Sequence, residues 1–429
     1  MPAKKSKSPW VVLIAIALAI FIGTLTGKDA GFFGVTFYSI YDIIGKLFIN
    51  SLTLIIVPLV SSSIITGVAR IGGDKQFGRI GIKTFTFYIL TKLIAIIIGI
   101  ILINLIHPGR ANVGFVSSMI DPEKLAALSA NVSYDSSSAF TNLLLDLIPP
   151  NVLDAFAKGN MLGLIFFSVI FGYAITHISA KAAETHLNFW NGVFEAMINI
   201  THYIMKVLPL GVFCLVAKVF AETGLKSLIT VSVFFLTVLL GLAIFVLIAL
   251  PLLLKFVAKV NPWNQFRAMA PALITGFSTS SSSAALPITL ECMEKRAGVS
   301  NRICSLVIPL GVSINLTGSA LYEGMAAIYI AQSFGIELSL GSQFVFTFLT
   351  LLTSIGIASV PSGSLVIILI LLRVLGIPAE GIGLLLAVDR LLDMFRTVTN
   401  LFADGCCAVL VARSEGERNI LTKKVFDPI

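Results

Sequence analysis

Long apolar runs separated by short polar connections make up most of this chain. Trp10 to Ile22, Leu93 to Ile106 and Phe234 to Leu254 approach or exceed the roughly 20 helical residues that cross a hydrocarbon core. The pattern predicts helices near residues 10–27, 36–69, 78–107, 160–179, 189–222 and 227–257. The most polar connection runs from His107 to about Asn142. With Pro108, Gly109, Asp121, Pro122 and Asp135 in it, it is expected to lie in water.

From Pro262 onward the apolar stretches shorten and are broken by Ser, Gly and Pro. Two broken stretches correspond, one running from Gly276 through Ser280, Ser281, Ser282 and Ser283 to Pro287, the other from Ser354 through Ser359, Val360 and Pro361 to Ser364. Each lies in an apolar region too short for two spanning helices, which predicts a hairpin that enters the membrane and returns. Non-helical backbone at that depth survives where it lines a cavity or is buried in protein. Paired interruptions in two halves point to a transporter's midplane binding site. Two Ser-rich surface loops are the competing reading.

Composition supports the membrane assignment: 57% of the 429 residues are hydrophobic and 12% charged, about half the roughly 25% charged share of soluble domains. The net charge of +8 does not mark a nucleic-acid binder, because the basic residues are spread over connections rather than gathered in one patch. Lys4, Lys5 and Lys7, then Arg70, Lys75, Arg79 and Lys83, then Arg413, Arg418, Lys423 and Lys424 predict a multi-pass plasma-membrane protein with both termini cytoplasmic. The first helix is expected to be retained, since no small-residue cleavage pattern follows it. Cys214, Cys292, Cys304, Cys406 and Cys407 show no metal spacing and are expected to be reduced.

Charge inside the last apolar segment changes the picture most. Ala387 to Ala412 carries Asp389, Arg390, Asp393, Arg396, Thr397, Asn400 and Asp404. Counted from Asp393, the last four fall at i+3, i+4, i+7 and i+11, on one helical face. A central Asp or Arg costs at least about 2.5–3.5 kcal/mol in hydrocarbon, so this face turns inward and is a functional candidate. A structural Asp393–Arg396 pair is the competing reading, and Arg390 is expected to pair with a neighbouring acid. The face suits a zwitterion with an extra carboxylate: Arg396 for the side-chain carboxylate, Asp393 with Thr397 for the ammonium, and Asn400 and Asp404 as hard oxygen ligands for a small cation. The backbone carboxylate would go to amides and hydroxyls of the Ser-rich hairpin.

These residues resemble the glutamate and aspartate transporter family of dicarboxylate/amino acid:cation symporters. The motifs are Ser281-Ser282-Ser283 with Leu286-Pro287, Asn315-Leu316-Thr317-Gly318-Ser319-Ala320-Leu321-Tyr322-Glu323, Val360-Pro361, and Asp393 through Asp404, and the resemblance covers almost the whole chain. It implies an all-α membrane protein with eight transmembrane helices, two re-entrant helical hairpins and inverted repeats, working as a homotrimeric elevator. The last two spans would be about 301–332 and 378–412. It further implies a scaffold in residues 1–77 and 108–225, the latter with an extracellular-side loop and helices four and five, and a transport domain in 78–107, 226–257 and 258–429. Substrate positions by resemblance are Ser281, Ser282, Ser319, Val360, Asp389, Asp393, Arg396, Thr397 and Asn400. Arg396 argues against neutral amino acids and Asp393 against plain dicarboxylates, which leaves glutamate or aspartate. Sodium ions, protons or both are the implied coupling ions, with no organic cofactor.

Two departures fall on one ion position. The family's usual Asn-Met-Asp-Gly-Thr reads Asn315-Leu316-Thr317-Gly318-Ser319, and alignment of the third helix keeps Tyr88 and Thr91 but puts Lys92 where a small hydroxyl residue is usual. Lys92 lies about 14 residues from each end of its predicted helix, roughly 20 Å at about 1.5 Å per residue, too far for its stem to snorkel. Its ammonium is expected to stand as a tethered cation near Asn315, Thr91 and Thr317, against the alternative of a lysine in a crevice between helices. Gly311, Asn315, Asn400 and Asp404 remain for one cation cage, and the carbonyls of Ser354, Ile355 and Ile357 for another. Ser359 and Ser364 stand where the last hairpin usually has Gly. Glu323 follows Leu321-Tyr322, where proton-carrying members place their carboxyl. Together these predict fewer coupled sodium ions and a proton contribution.

An ion channel is the rival class, since intramembrane charges and re-entrant loops also build selectivity filters. One cluster of acid, base and hydroxyl groups favours a bound zwitterion over a symmetric pore. An enzyme is disfavoured: His107, His177, His186 and His202 lie outside the polar cluster, and no base accompanies the Ser-rich tip. Within carriers, a dicarboxylate or neutral amino acid symporter is the alternative.

Overall fold

The computed structural model describes residues 9–72, 78–110, 148–158, 161–223, 226–354, 363–374 and 377–422. They are mostly helical, and the chain is an all-α membrane protein apart from a two-stranded ribbon, Gly31–Phe32 with Val35–Thr36. Among the described residues, five segments are long and apolar enough to span a membrane: Phe37–Ala69, Arg79–Ile106, Val231–Phe256, Asn301–Ser333 and Gly383–Ser414.

In chain order, α1 is Pro9–Thr26, α2 Phe37–Gly72, α3 Gly78–Ile106, α4 Val152–Lys158, α5 Met161–Ile175, α6 Ala180–Lys206, α7 Leu208–Thr223, α8 Lys226–Ile244 and α9 Leu250–Phe256. There follow α10 Pro262–Thr279, α11 Ser282–Glu291, α12 Asn301–Ile314, α13 Thr317–Ser333, α14 Leu340–Thr353, α15 Gly363–Val374 and α16 Gly383–Ser414. Most predicted helices appear within a few residues. The segment expected as one helix over 189–222 is two, because the chain breaks at Val207 just before Pro209, whose missing N–H cannot continue the ladder. A wide turn at Phe245–Ala249 joins α8 to α9 ahead of Pro251 for the same reason. The polar connection expected after His107 falls largely outside the described residues.

Polarity decides which helices lie inside. Apolar α3 exposes Ile82, Ile101 and Leu105, a surface that hydrocarbon solvates without penalty. By contrast every residue of α13 is buried, and α16 keeps its charged face inside. α16 packs against α3, α8, α10, α12 and α13, and α13 against α3, α14 and α15. α1 packs on α7, and α2 on α5, α6 and α7; this second group meets the first where α7 and α1 touch α16 and where α2 touches α15 and α3. Ring stacks between Phe234 and Tyr329 (4.3 Å) and between Phe266 and Phe402 (4.1 Å) fill the core around the polar face.

Beyond α16 the chain folds back over the ends of neighbouring helices. Arg413 Nε donates to the Ala258 carbonyl (2.7 Å), Leu421 N–H to Ala297 O (2.9 Å) and Asn264 Nδ2 to Leu421 O (2.7 Å). Glu415 accepts from Lys83, whose ammonium, with Arg79 behind it, holds that carboxyl below the usual carboxylate range.

Candidate functional site

The polar face of α16 is closed to solvent. Asp389, Arg390, Asp393, Arg396, Thr397, Asn400 and Asp404 are all buried, and Arg396 is 0% exposed. Arg396 Nη2 bridges Asp389 (3.1 Å) and Asp393 (3.0 Å), and Arg390 Nη1 reaches the other Asp393 oxygen at 3.1 Å. Two acids and two bases therefore balance, which is the condition for keeping ions in a dry interior. The Arg396 guanidinium lies 4.1 Å above the Tyr322 ring, a cation–π contact that fixes its plane. Its Nε and Nη1 have no hydrogen-bond partner among the described residues. Buried donors are nearly always paired, so two idle nitrogens, with three N–H groups between them, on one buried cation mark a place for an acceptor. The i+3 pair expected as the structural alternative is present, and it leaves most of the guanidinium's donors unused. Thr397 turns its hydroxyl to the Asp393 carbonyl (2.8 Å).

The first Ser-rich segment is a helical hairpin, α10 and α11, turning at Ser280 in the left-handed region (φ 50°). Ser281 caps α11 by accepting from the Ala284 N–H at 3.2 Å, and Ser282 begins the helix buried. Gly276 sets the tip against α16: a Cβ there would stand 2.3 Å from Leu401 Cδ1 and 3.4 Å from Thr397 Cγ2. The buried Ser280 hydroxyl has no partner among the described residues. The second segment has α14 and α15 as its legs, in contact with each other. Ser354 ends α14 with its hydroxyl on Leu351 O (3.0 Å), while Ile355, Ile357, Ser359, Val360 and Pro361 lie outside the described residues.

Between α12 and α13 the helix predicted over 301–332 is interrupted at Asn315 and Leu316, and side chains of other helices serve its two free ends. At the α13 start, Asn400 Oδ1 accepts from Gly318 N–H (2.8 Å) and Ser319 N–H (3.4 Å), and its Nδ2 faces Ser319 Oγ at 3.3 Å. At the α12 end, Lys92 Nζ donates to the Ile314 carbonyl at 2.7 Å, although the side chain is only 1% exposed. A cation suits the negative end of a helix. Lys92 thus reaches the break through the residue ahead of Asn315, rather than through the Asn315 or Thr317 side chains. It stays in electrostatic reach of Glu323 and Asp404.

Around the break, Asn315 Nδ2 donates to Asp404 Oδ1 (2.9 Å), and Thr317 Oγ1 lies 2.7 Å from Asn315 O and 3.0 Å from its Oδ1. Asp404 Oδ2 has no partner among the described residues. Tyr88 donates to Val307 O, and Thr91 to Phe87 O at 2.8 Å. Gly311 abuts Asp404: an added Cβ would lie 2.6 Å from its carboxyl carbon. Gly311→Ala is accordingly expected to cost about 1–3 kcal/mol through overpacking, read as a lowered thermal midpoint of the detergent-purified protein. An unchanged midpoint would mean that α12 can shift away from α16.

Two residues at the site escaped sequence reasoning. Cys407 Sγ lies 3.7 Å from Thr91 Oγ1 and 3.9 Å from Asn315 Nδ2. The signal was available, because Cys407 is at i+14 from Asp393 and so continues the same face. Tyr322, quoted only within a motif, is the platform under Arg396. Elsewhere Glu323 is wholly buried and accepts from Ser364 Oγ at 2.8 Å.

Charge of both signs, buried and balanced between a helical hairpin and a broken helix inside a bundle of membrane-spanning segments, belongs to a membrane transport protein. The model of the sodium:dicarboxylate symporter family matches residues 9–414, and the chain belongs to that family. It is a transporter, not an enzyme. The proton/glutamate-aspartate symporter of Escherichia coli (strain K12) is 34% identical over 406 residues, spanning 95% of this chain and 92% of that protein. The proton/sodium-glutamate symport protein of Geobacillus stearothermophilus is 34% identical over 409 residues, covering 95% and 96%. The C4-dicarboxylate transport protein of Bacillus subtilis (strain 168) is 32% identical over 375 residues, covering 87% of each.

Proposed function

We propose that this chain is a symporter that takes up acidic amino acids, L-glutamate or L-aspartate, together with cations. The observation that carries the reading is Arg396, buried, charge-balanced and with Nε and Nη1 unused. A substrate side-chain carboxylate satisfies those donors. Asp393, shared between Arg390 and Arg396, accepts the ammonium, and the start of α11 at Ser281 and Ser282, with Ser319 and the second hairpin at Val360, takes the backbone carboxylate. Asp389 and Thr397 position these groups, and Asn400 holds the α13 start beside them. A plain dicarboxylate has no group for Asp393, although the Bacillus subtilis relative carries C4-dicarboxylates by name, so the substrate needs a direct test. Isotope uptake into liposomes with competitors is expected to show glutamate and aspartate displacing label at least about tenfold better than succinate or serine, the loss of one charged contact being worth about 1.4 kcal/mol or more. Succinate competing as well as glutamate would reassign the site to dicarboxylates. Uncoupled, non-saturating flux would make the protein a channel.

The packing supports a scaffold of α1, α2 and α5 to α7 against a carrying group of α3 and α8 to α16. On this reading the chain has eight spans and two re-entrant hairpins, moves as an elevator within a homotrimer and keeps both termini in the cytoplasm. Gly311, Asn315, Asn400 and Asp404 form one cation position, and Ser354 with Ile355 and Ile357 another. At the third, near Tyr88, Thr91 and Thr317, the Lys92 ammonium stands in for an ion. A thiol and an ammonium there, Cys407 and Lys92, make a poor cage for a hard cation, which needs oxygen ligands. Glu323 contributes a coupled proton. Under imposed gradients, glutamate uptake is expected to rise with an inward proton gradient and to show less than third-order dependence on sodium. Full activity without a proton gradient and third-order sodium dependence would reject this coupling.

A further inference from the structure

Ser364 stands at the second position of α15, the returning leg of the second hairpin. Its Oγ donates to Glu323 Oε1 at 2.8 Å; Glu323 is 0% exposed and Ser364 7%. Glu323 Oε2 has no partner among the described residues. The charged groups facing Glu323 are Lys92 on α3 and Arg396 on α16. Among the described residues, α14 offers no charged side chain, α8 shows none along its described face, and Arg373 of α15 is exposed at the far end of that helix. The Ser364 hydroxyl is therefore the hydrogen-bond donor that links Glu323 to a hairpin.

We propose that Ser364 is a positioning residue that ties the charge on Glu323 to the docking of α15 and so sets the pH range of transport. The inference rests on the reading of Glu323 as proton carrier. A hydroxyl-to-carboxylate hydrogen bond is roughly twice as strong when the carboxyl is ionised. The bond therefore holds α15 tightly beside the charged Glu323 and loosely beside the protonated one. Linkage is reciprocal: whatever protonation does to the α15 contact, that contact does to protonation. A glycine at this position would supply no donor and no such tie.

The test is the pH profile of glutamate uptake in proteoliposomes for wild type and for Ser364→Ala, Ser364→Thr and Glu323→Gln. Without its donor the ionised carboxylate is less favoured, so the Ser364→Ala profile should move to higher pH by about one unit, the worth of one charge-assisted hydrogen bond. Threonine keeps the hydroxyl and should restore the wild-type midpoint, which a mere packing role would not require. Glu323→Gln should flatten the profile. If it does and Ser364→Ala leaves the midpoint in place, the Ser364 inference is overturned. If Glu323→Gln keeps the wild-type profile, the proton-carrier reading itself fails. Should the alanine variant not insert, Ser364→Gly serves in its place with the same expected shift.

Discussion

Arg396→Ala is expected to lower uptake of glutamate and aspartate by about two to three orders of magnitude. Truncating one partner of a buried, hydrogen-bonded charge pair costs about 3–5 kcal/mol, and about 1.4 kcal/mol is a factor of ten. On the proposed reading the substrate carboxylate loses the wholly buried guanidinium that receives it, and Asp389 loses the partner that Nη2 supplies at 3.1 Å. Arg390 cannot compensate, because its guanidinium is engaged with Asp393 Oδ2 at 3.1 Å and its place on the helix differs by six residues. Loss of uptake alone would not separate recognition from folding, so the comparison is with Arg390→Ala, which also removes a base paired to Asp393. If charge balance on α16 were all that mattered, the two variants would fall together. The expected result is that only Arg396→Ala loses acidic substrates while its thermal midpoint stays near that of Arg390→Ala. Arg396→Lys should lie between, since an ammonium keeps the charge but lacks the planar fork. Glutamate uptake by Arg396→Ala within threefold of wild type would remove Arg396 from the substrate site.

Much of this is legible in the sequence, because hydrocarbon is an unforgiving solvent. A membrane helix cannot face lipid with Asp393, Arg396 and Asp404, so periodicity alone turned that face inward, where the structure has it. The Ser-rich break at Ser280 and Ser281 was equally plain, as a run of small polar residues in an apolar stretch has few other physical uses. Pairing between distant segments was not legible. Nothing in the spacing says that Asn400 caps α13, that Lys92 reaches the Ile314 carbonyl, or that Ser364 donates to Glu323, since each joins elements 41 to 222 residues apart. Sequence reasoning put the Lys92 ammonium near Asn315, Thr91 and Thr317, whereas the acceptor it reaches is the Ile314 carbonyl at a helix end that the apolar pattern did not announce. The break at Val207 was missed because the apolar pattern runs through it and Pro209 at a helix start looks the same as proline inside one.

The paired substitution Lys92→Ser with Thr317→Asp should convert the coupling, raising the sodium order of glutamate uptake by about one. Lys92 Nζ holds the carbonyl end of α12 at 2.7 Å, and Thr317 lies just across the break on α13. Removing the ammonium alone leaves Ile314 O buried without its cation, takes the Lys92 charge away from Asp404, and leaves Glu323 with Arg396 alone of the two cations that face it. Lys92→Met should therefore cut uptake at least about tenfold, since leaving buried charge uncompensated costs 3–5 kcal/mol and the site can relax only in part. Thr317→Asp alone should be less harmful, because the new carboxylate meets the lysine as an ion pair. In the double variant the carboxylate at 317, the serine at 92 and the Thr91 hydroxyl supply oxygen groups and no fixed cation, the composition a hard ion requires. Sodium should then rescue uptake that is absent without it, with a steeper dependence than wild type. If Lys92 merely filled a crevice, Lys92→Met would retain near wild-type uptake, and the double variant would be a buried unpaired acid that no sodium concentration restores.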